Sequence, residues 1–119
     1  MSGNQLAQDI GGLRLPLNFK KIVVPANWPG PVEIGKIAAG FVVDSVTVKV
    51  TSAFNGSASL TMGETLSQGN LVIAADVFLD VVSTYNIRPA LSYATATVIN
   101  AYLMGSPTVG SCEIIVFYQ

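Results

Sequence analysis

Short runs that alternate between apolar and polar residues dominate this sequence and restrict it to a β-sheet fold. In residues 41–51, valines occupy positions 46, 48 and 50, and polar residues occupy positions 47, 49 and 51. A period of two places successive side chains on opposite faces of a strand. The same alternation recurs in residues 57–62 and 92–104. The pattern predicts strands that each have one buried face and one face toward water.

Turn residues separate these runs at intervals of about 8 to 12 residues, which is typical of an all-β sandwich or jelly roll. We therefore expect an antiparallel β-sandwich or jelly roll of about eight short strands; a barrel would give the same local pattern and stays open as an alternative. The predicted strands are residues 19–25, 32–37, 41–51, 57–62, 71–75, 77–82, 92–104 and 109–118.

Three local features refine this prediction. Asn55-Gly56 follows the valine-rich run, and this dipeptide favours a hairpin turn, so we expect residues 41–51 and 57–62 to pair as neighbouring antiparallel strands. The β-branched content of residues 76–82 favours a strand over a helical turn. Residues 86–90, which contain Arg88-Pro89, are predicted to form a loop.

Residues 1–18 differ from the predicted sandwich domain, residues 19–119. The Gly11-Gly12 pair interrupts any helix there, yet the segment is too apolar for a free linker. We expect an extended arm that orders only against a neighbouring subunit, with a frayed terminus as the alternative. The candidate contact residues of the arm are Leu6, Ile10, Leu13 and Leu15.

The chain has few charges for its length, which predicts that part of its surface does not face water. Charged residues are 11% of the sequence, against about 25% in an average soluble domain. The last run, residues 112–118, is apolar on both faces, so one face should meet the core and the other a partner. We expect a homo-oligomer, a dimer or a trimer, with Ile115 or Phe117, whichever points outward, at the interface. Trp28 is a further candidate contact residue, because aromatic side chains bury much area.

The sequence offers no arrangement typical of an enzyme, a cofactor site or a metal site. It has no histidine and one cysteine, Cys112, which excludes the usual zinc sets and disulfide frameworks. We interpret Cys112 as a small buried apolar residue. Glu64, Asp76 and Asp80 could offer oxygens to Ca²⁺, but no calcium-loop motif accompanies them.

Charge and hydropathy bear on partners and location. The net charge of −1 does not favour a nucleic-acid partner. No run reaches about 18 consecutive apolar residues, so no membrane span is predicted. The first residues lack the features of a signal peptide, so we expect a soluble protein made without secretion.

Residues 41–118 resemble small β-sandwich virion proteins of tailed bacteriophages. The resemblance is carried by VVDSVTVKV, FNGSASLTMG, YATATVINAYLMGSPTVG and the terminal EIIVFY. Their order is similar to that in phage head decoration (cement) proteins and in fibre or tail modules. It implies a non-enzymatic protein, made in the host cytoplasm, that binds the major capsid protein between capsomers on the exterior of the virion. A tail or fibre module is the alternative, and a carbohydrate-binding domain is a further one.

Overall fold

A computed structural model describes residues 17–65 and 67–119 of the chain. This part contains nine strands and two short 3-10 turns, Pro25–Asn27 and Ala74–Asp76, so the all-β prediction is confirmed. The four arm residues predicted to make contacts, Leu6, Ile10, Leu13 and Leu15, lie outside the described residues. The strands are β1 (Leu17–Val23), β2 (Val32–Ile37), β3 (Val42–Ser52), β4 (Ser59–Glu64), β5 (Ser67–Val72), β6 (Thr84–Ile87), β7 (Leu91–Ser92), β8 (Thr97–Met104) and β9 (Ser111–Tyr118).

The strands form two antiparallel sheets that pack face to face. One sheet has the order β1-β9-β3-β6, with β7 also pairing with β3, and the other has the order β2-β8-β4-β5. The pairs are nested along the chain: β1 pairs with β9, β2 with β8, β3 with β6 and β7, and β4 with β5. This nesting is the topology of a jelly roll. The predicted sandwich is therefore confirmed.

The core lies between the sheets and follows the alternation in the sequence. On β3, Val46, Val48 and Val50 are buried, and they face Ile99 of β8 and the other inward side chains of the second sheet within one cluster. Valine suits these positions because a β-branched side chain packs well on a pleated surface. No polar or charged side chain is buried within the described ranges. The core is thus held by apolar packing.

The strand registers place four connections at the same end of the sandwich. Ser52 pairs with Ser111 in one sheet, and Ser59 pairs with Met104 in the other. The connections 24–31, 53–58, 73–83 and 105–110 therefore lie at this end of the sandwich. We call these four connections, together with Met104 at the end of β8, the loop end. The start of β1 lies at the opposite end, because Leu17 pairs with Tyr118.

The predicted hairpin at Asn55-Gly56 is wrong, because β3 and β4 lie in different sheets. The connection 53–58 carries the chain across the sandwich. Gly56 has a φ of +70° and approaches the backbone of Ser106 so closely that a Cβ would collide with it. The Asn55 amide binds the loop of Thr108 by donating to its hydroxyl (2.8 Å) and accepting from its N–H (2.7 Å). These two residues join two loops at the loop end.

Two other local predictions need correction. Residues 76–82, predicted as a strand, lie in the 3-10 turn and the irregular connection before β6. The segment forms no strand, but it still divides its apolar side chains. Val77 and Leu79 enter the core, whereas Phe78 is exposed. Residues 86–87, predicted as loop, belong to β6, which pairs with β3. Within residues 17–65 and 67–119, none of the helical segments has the length and apolar character needed to cross a membrane.

Candidate functional site

The loop end carries most of the exposed apolar side chains in the described part of the chain. Ten large apolar residues are exposed there, and seven of them lie at the loop end. Their concentration matters because single exposed apolar residues are normal, whereas a cluster of them marks an interaction site. The seven are Trp28, Ile73, Phe78, Val81, Val82, Met104 and Val109.

Hydrogen bonds and one buried ring fix the loops that display these side chains. The N–H of Phe54 donates to the carbonyl of Leu79 (2.8 Å), which joins connections 53–58 and 73–83. Phe54 is 3% exposed, and Gly110 lies against its ring so closely that a Cβ at Gly110 would overlap it. The N–H of Gly30 donates to the carbonyl of Leu103 (3.3 Å). The loop end is therefore a set of mutually supported loops.

An open groove of about 410 Å³ lies on the loop end. Its lining combines apolar side chains with polar ones, which are Asn55, Ser57, Ser59 and the carboxylate of Asp80. Asp76 and Asp80 are the charged residues of the four connections, which contain no lysine or arginine. The surface is therefore apolar and negatively charged. Residues that line the groove include Phe54, Ala58, Ala74, Phe78, Leu79 and Asp80.

A second surface is formed by the outward side chains of β1, β9 and β3, which we call the outer sheet face. Ile115 and Phe117 alternate with the buried Ile114 and Val116, so both lie on this face, and both are half-buried. The sequence left open which of the two points outward, and the register shows that neither enters the core. Ile22 of β1, which is exposed, adds a third apolar side chain to this face.

Polar side chains surround the three apolar residues of the outer sheet face. In the register, Ile115 lies between Lys20 and Thr47. Lys20 also approaches Glu113, with 3.7 Å between Nζ and Oε2, in an exposed ion pair that contributes little to stability. A mixture of apolar and polar side chains is common in protein interfaces.

The structure separates the predicted contact residues into two places. Trp28, which is 44% exposed, lies at the loop end, whereas Ile115 and Phe117 lie on the outer sheet face. Phe78 and Val82 were missed, because residues 77–82 were predicted to form a regular strand of the sandwich and not a connection at its end. Their signal in the sequence is the pair Asp76 and Asp80, which interrupts the apolar run.

The described residues offer no cluster of side chains for a metal ion. There, no three acidic, histidine or cysteine side chains come together. Cys112 is fully buried on β9, which confirms its interpretation as a small core residue. Burial raises the pKa of the Cys112 thiol to about 12. Because the thiolate is the reactive form, the raised pKa and the burial both disfavour reaction of this thiol in the native protein.

We expect Cys112 to resist a thiol-specific reagent at about pH 8 in the folded protein and to react fully once guanidinium unfolds the chain. An exposed cysteine introduced by Val82→Cys in a Cys112→Ala background is the matched control and should react without denaturant. Comparable rates for Cys112 in the folded and unfolded states would contradict its burial.

The same pKa shift predicts a dependence of stability on pH. An unfolded thiol has a pKa near 8.5, so the thiol loses its proton at a lower pH in the unfolded state than in the folded state. The free energy of unfolding therefore falls as the pH rises from about 8.5 to about 12, by about 1.4 kcal/mol per pH unit. Burial also raises the pKa of Tyr93. The Cys112→Ala variant retains the tyrosine contribution, so denaturant titrations of both proteins at several pH values isolate the thiol.

The topology places the chain in the class of jelly-roll β-sandwich proteins. No protein-family model matches the chain, and no curated protein matches it in sequence. Its fold is similar to a chain in the acidic stable capsid structure of Helicobacter pylori bacteriophage KHP30, with 12% identity, a TM-score of 0.71 and coverage of 88% of this chain and 87% of that one.

A second structure shares the fold. A chain in the capsid asymmetric unit of cyanophage Pam1 has 16% identity and a TM-score of 0.63, with coverage of 96% of this chain and 98% of that one. The likeness extends over nearly the whole length of each protein. At these identities it establishes the shared fold.

Proposed function

We propose that the chain is a structural protein of a bacteriophage virion, and specifically a capsid decoration protein that binds the major capsid protein between capsomers on the exterior of the head. The observation that carries the proposal is the jelly roll shared over nearly full length with chains in two phage capsid structures. The protein acts by binding and performs no catalysis.

The surfaces of the molecule support this role. The core contains no buried charge or polar side chain within the described ranges, and two separate apolar surfaces remain outside it. A protein that joins neighbouring subunits needs at least two contact surfaces on one rigid body. Rigid docking also loses little conformational entropy, so more of the contact energy appears as affinity.

One of these surfaces is assigned to contact between copies. The outer sheet face presents Ile22, Ile115 and Phe117 among polar side chains. We assign it to the interface of a dimer or trimer. Several copies in one oligomer multiply the contacts made with a symmetric shell.

Such a protein stabilises a shell by mass action. A ligand that binds only the closed arrangement of capsomers adds about 2.7 kcal/mol per site when its concentration is a hundred times its dissociation constant. Packaged DNA presses the shell outward, and the joints between capsomers resist that pressure.

Deletion of the gene tests the proposal. We expect complete heads to contain hundreds of copies of the protein, and heads that lack it to release DNA at a lower temperature. Adding the purified protein back to deleted heads should restore heat resistance, and an unrelated protein of similar size is the control. Equal heat resistance of both head types would refute the decoration role. A few copies located on the tail would assign the chain to a tail or fibre module.

A further inference from the structure

The loop end is the larger concentration of exposed apolar side chains in the described part of the molecule, and the oligomer proposed above leaves it uncovered. It combines exposed apolar residues such as Phe78 (58%) and Val82 (63%) with the open groove beside Phe78 and Asp80. Its connections carry two carboxylates and no cation. Charge decides which occupant fits it.

Charge disfavours two candidate occupants of the loop end. If two copies met loop end to loop end, Asp76 and Asp80 of one copy would face the same carboxylates of the other, with no cation in the four connections to compensate. An anionic lipid surface would meet the same repulsion. A partner that offers an apolar patch and a basic side chain suits this surface.

We propose that the loop end is the surface that docks onto the shell protein, with an arginine or lysine of that protein lying in the groove. The aliphatic stem of such a side chain packs against Ala58, Ala74 and Phe78, and its charged head approaches Asp80. Long basic side chains commonly divide between apolar and polar surroundings in this way. This inference rests on the proposed function, because it assigns the surface by which the protein binds the shell.

An oligomer strengthens this docking. Two or three loop ends carried by one oligomer bind together with a much higher avidity than one.

The test measures binding of purified variants to heads assembled without this gene. Val82→Lys and Val109→Lys should each weaken binding about tenfold or more, because each places a charge in an apolar contact. Val98→Lys is the matched control, since Val98 is an exposed valine on the outer face of the other sheet, away from the loop end. It should bind like the wild type. All three variants should retain the far-UV circular dichroism spectrum and the oligomeric state of the wild type.

Charge reversal tests the basic partner. Asp80→Lys should also weaken binding about tenfold, and raising the salt from about 0.05 M to about 0.5 M should recover part of the loss by screening the new repulsion. Equal weakening at both salt concentrations would refute a basic side chain in the groove.

The remaining outcomes separate the two proposals. If the wild type binds and both loop-end variants bind equally well, this inference is wrong while the decoration role survives. If the loop-end variants change the oligomeric state instead, the surface contacts a second copy and the inference is again wrong. If the wild type does not bind heads at all, the decoration role fails and the inference fails with it.

Discussion

Replacing Phe54 with alanine is expected to lower the free energy of unfolding by about 3 to 5 kcal/mol. Phe54 is 3% exposed and belongs to the core cluster, and its ring lies beneath connection 105–110, in contact with Gly110. Truncation removes buried apolar area and leaves a cavity that hydrogen-bonded loops cannot easily close. A domain of this size has about 5 to 15 kcal/mol of stability in total, so this change removes a large fraction of it.

Guanidinium unfolding followed by circular dichroism measures the effect, and Phe78→Ala is the matched control. Phe78 is also a phenylalanine at the loop end, but it is 58% exposed. Its ring makes an edge contact with Tyr85, with 6.3 Å between centroids, so its loss should cost only about 1 kcal/mol. Similar losses for the two variants would contradict the placement of Phe54 in the core.

The strands of this protein are largely predictable from the sequence, because alternation reports burial directly. The valines of β3 and the alternating residues of β9 take the places that a period of two assigns to them. Once β9 is a strand, Ile115 and Phe117 must share one face, since they are two residues apart.

Strand pairing is harder to predict, because a local turn does not identify the sheet that the chain enters next. Asn55-Gly56 has the residues of a hairpin, and Gly56 does adopt the positive φ that such a turn requires. The positive φ serves instead to bring the backbone against Ser106. That contact involves residues 50 positions away in the sequence, which a local pattern cannot reveal.

The loop end was only partly predictable for a related reason. Trp28 lies among prolines and glycine, so its place in a turn follows from local chemistry. Phe78 and Val82 lie in a run whose composition favours a strand. Two hydrogen bonds hold this run in an irregular form. The N–H of Phe54 donates to the carbonyl of Leu79, and the N–H of Ile73 donates to the carboxylate of Asp76 (3.4 Å). Tertiary contacts thus override the local preference.

Replacing Ile115 with lysine is expected to dissociate the proposed oligomer and leave a folded monomer. Ile115 lies on the outer sheet face, outside the core, and its neighbours Lys20 and Thr47 are polar. A folded monomer tolerates a lysine there, because its stem can lie on the sheet while the ammonium group reaches water. In an oligomer the same charge would be buried without a partner, which costs about 3 to 5 kcal/mol and raises the dissociation constant about a hundredfold or more.

Sedimentation velocity at micromolar concentration measures the oligomeric state, and thermal unfolding checks that the variant remains folded. Val98→Lys is again the control, because it makes the same change on the outer face of the opposite sheet. It should leave the oligomer intact, and Phe117→Lys should behave like Ile115→Lys. A monomeric wild type, or an Ile115→Lys variant that stays oligomeric, would refute the assignment of this face.

The same variant links the two surfaces of the molecule. A monomer made by Ile115→Lys retains an intact loop end, so it should still bind deleted heads, but with the lower affinity of a single contact. Val82→Lys should show the opposite behaviour, an intact oligomer with weakened individual contacts. Measuring the oligomeric state and head binding of both variants therefore assigns each surface separately. Tight head binding by the Ile115→Lys monomer, equal to that of the wild type, would show that oligomerisation adds nothing to docking.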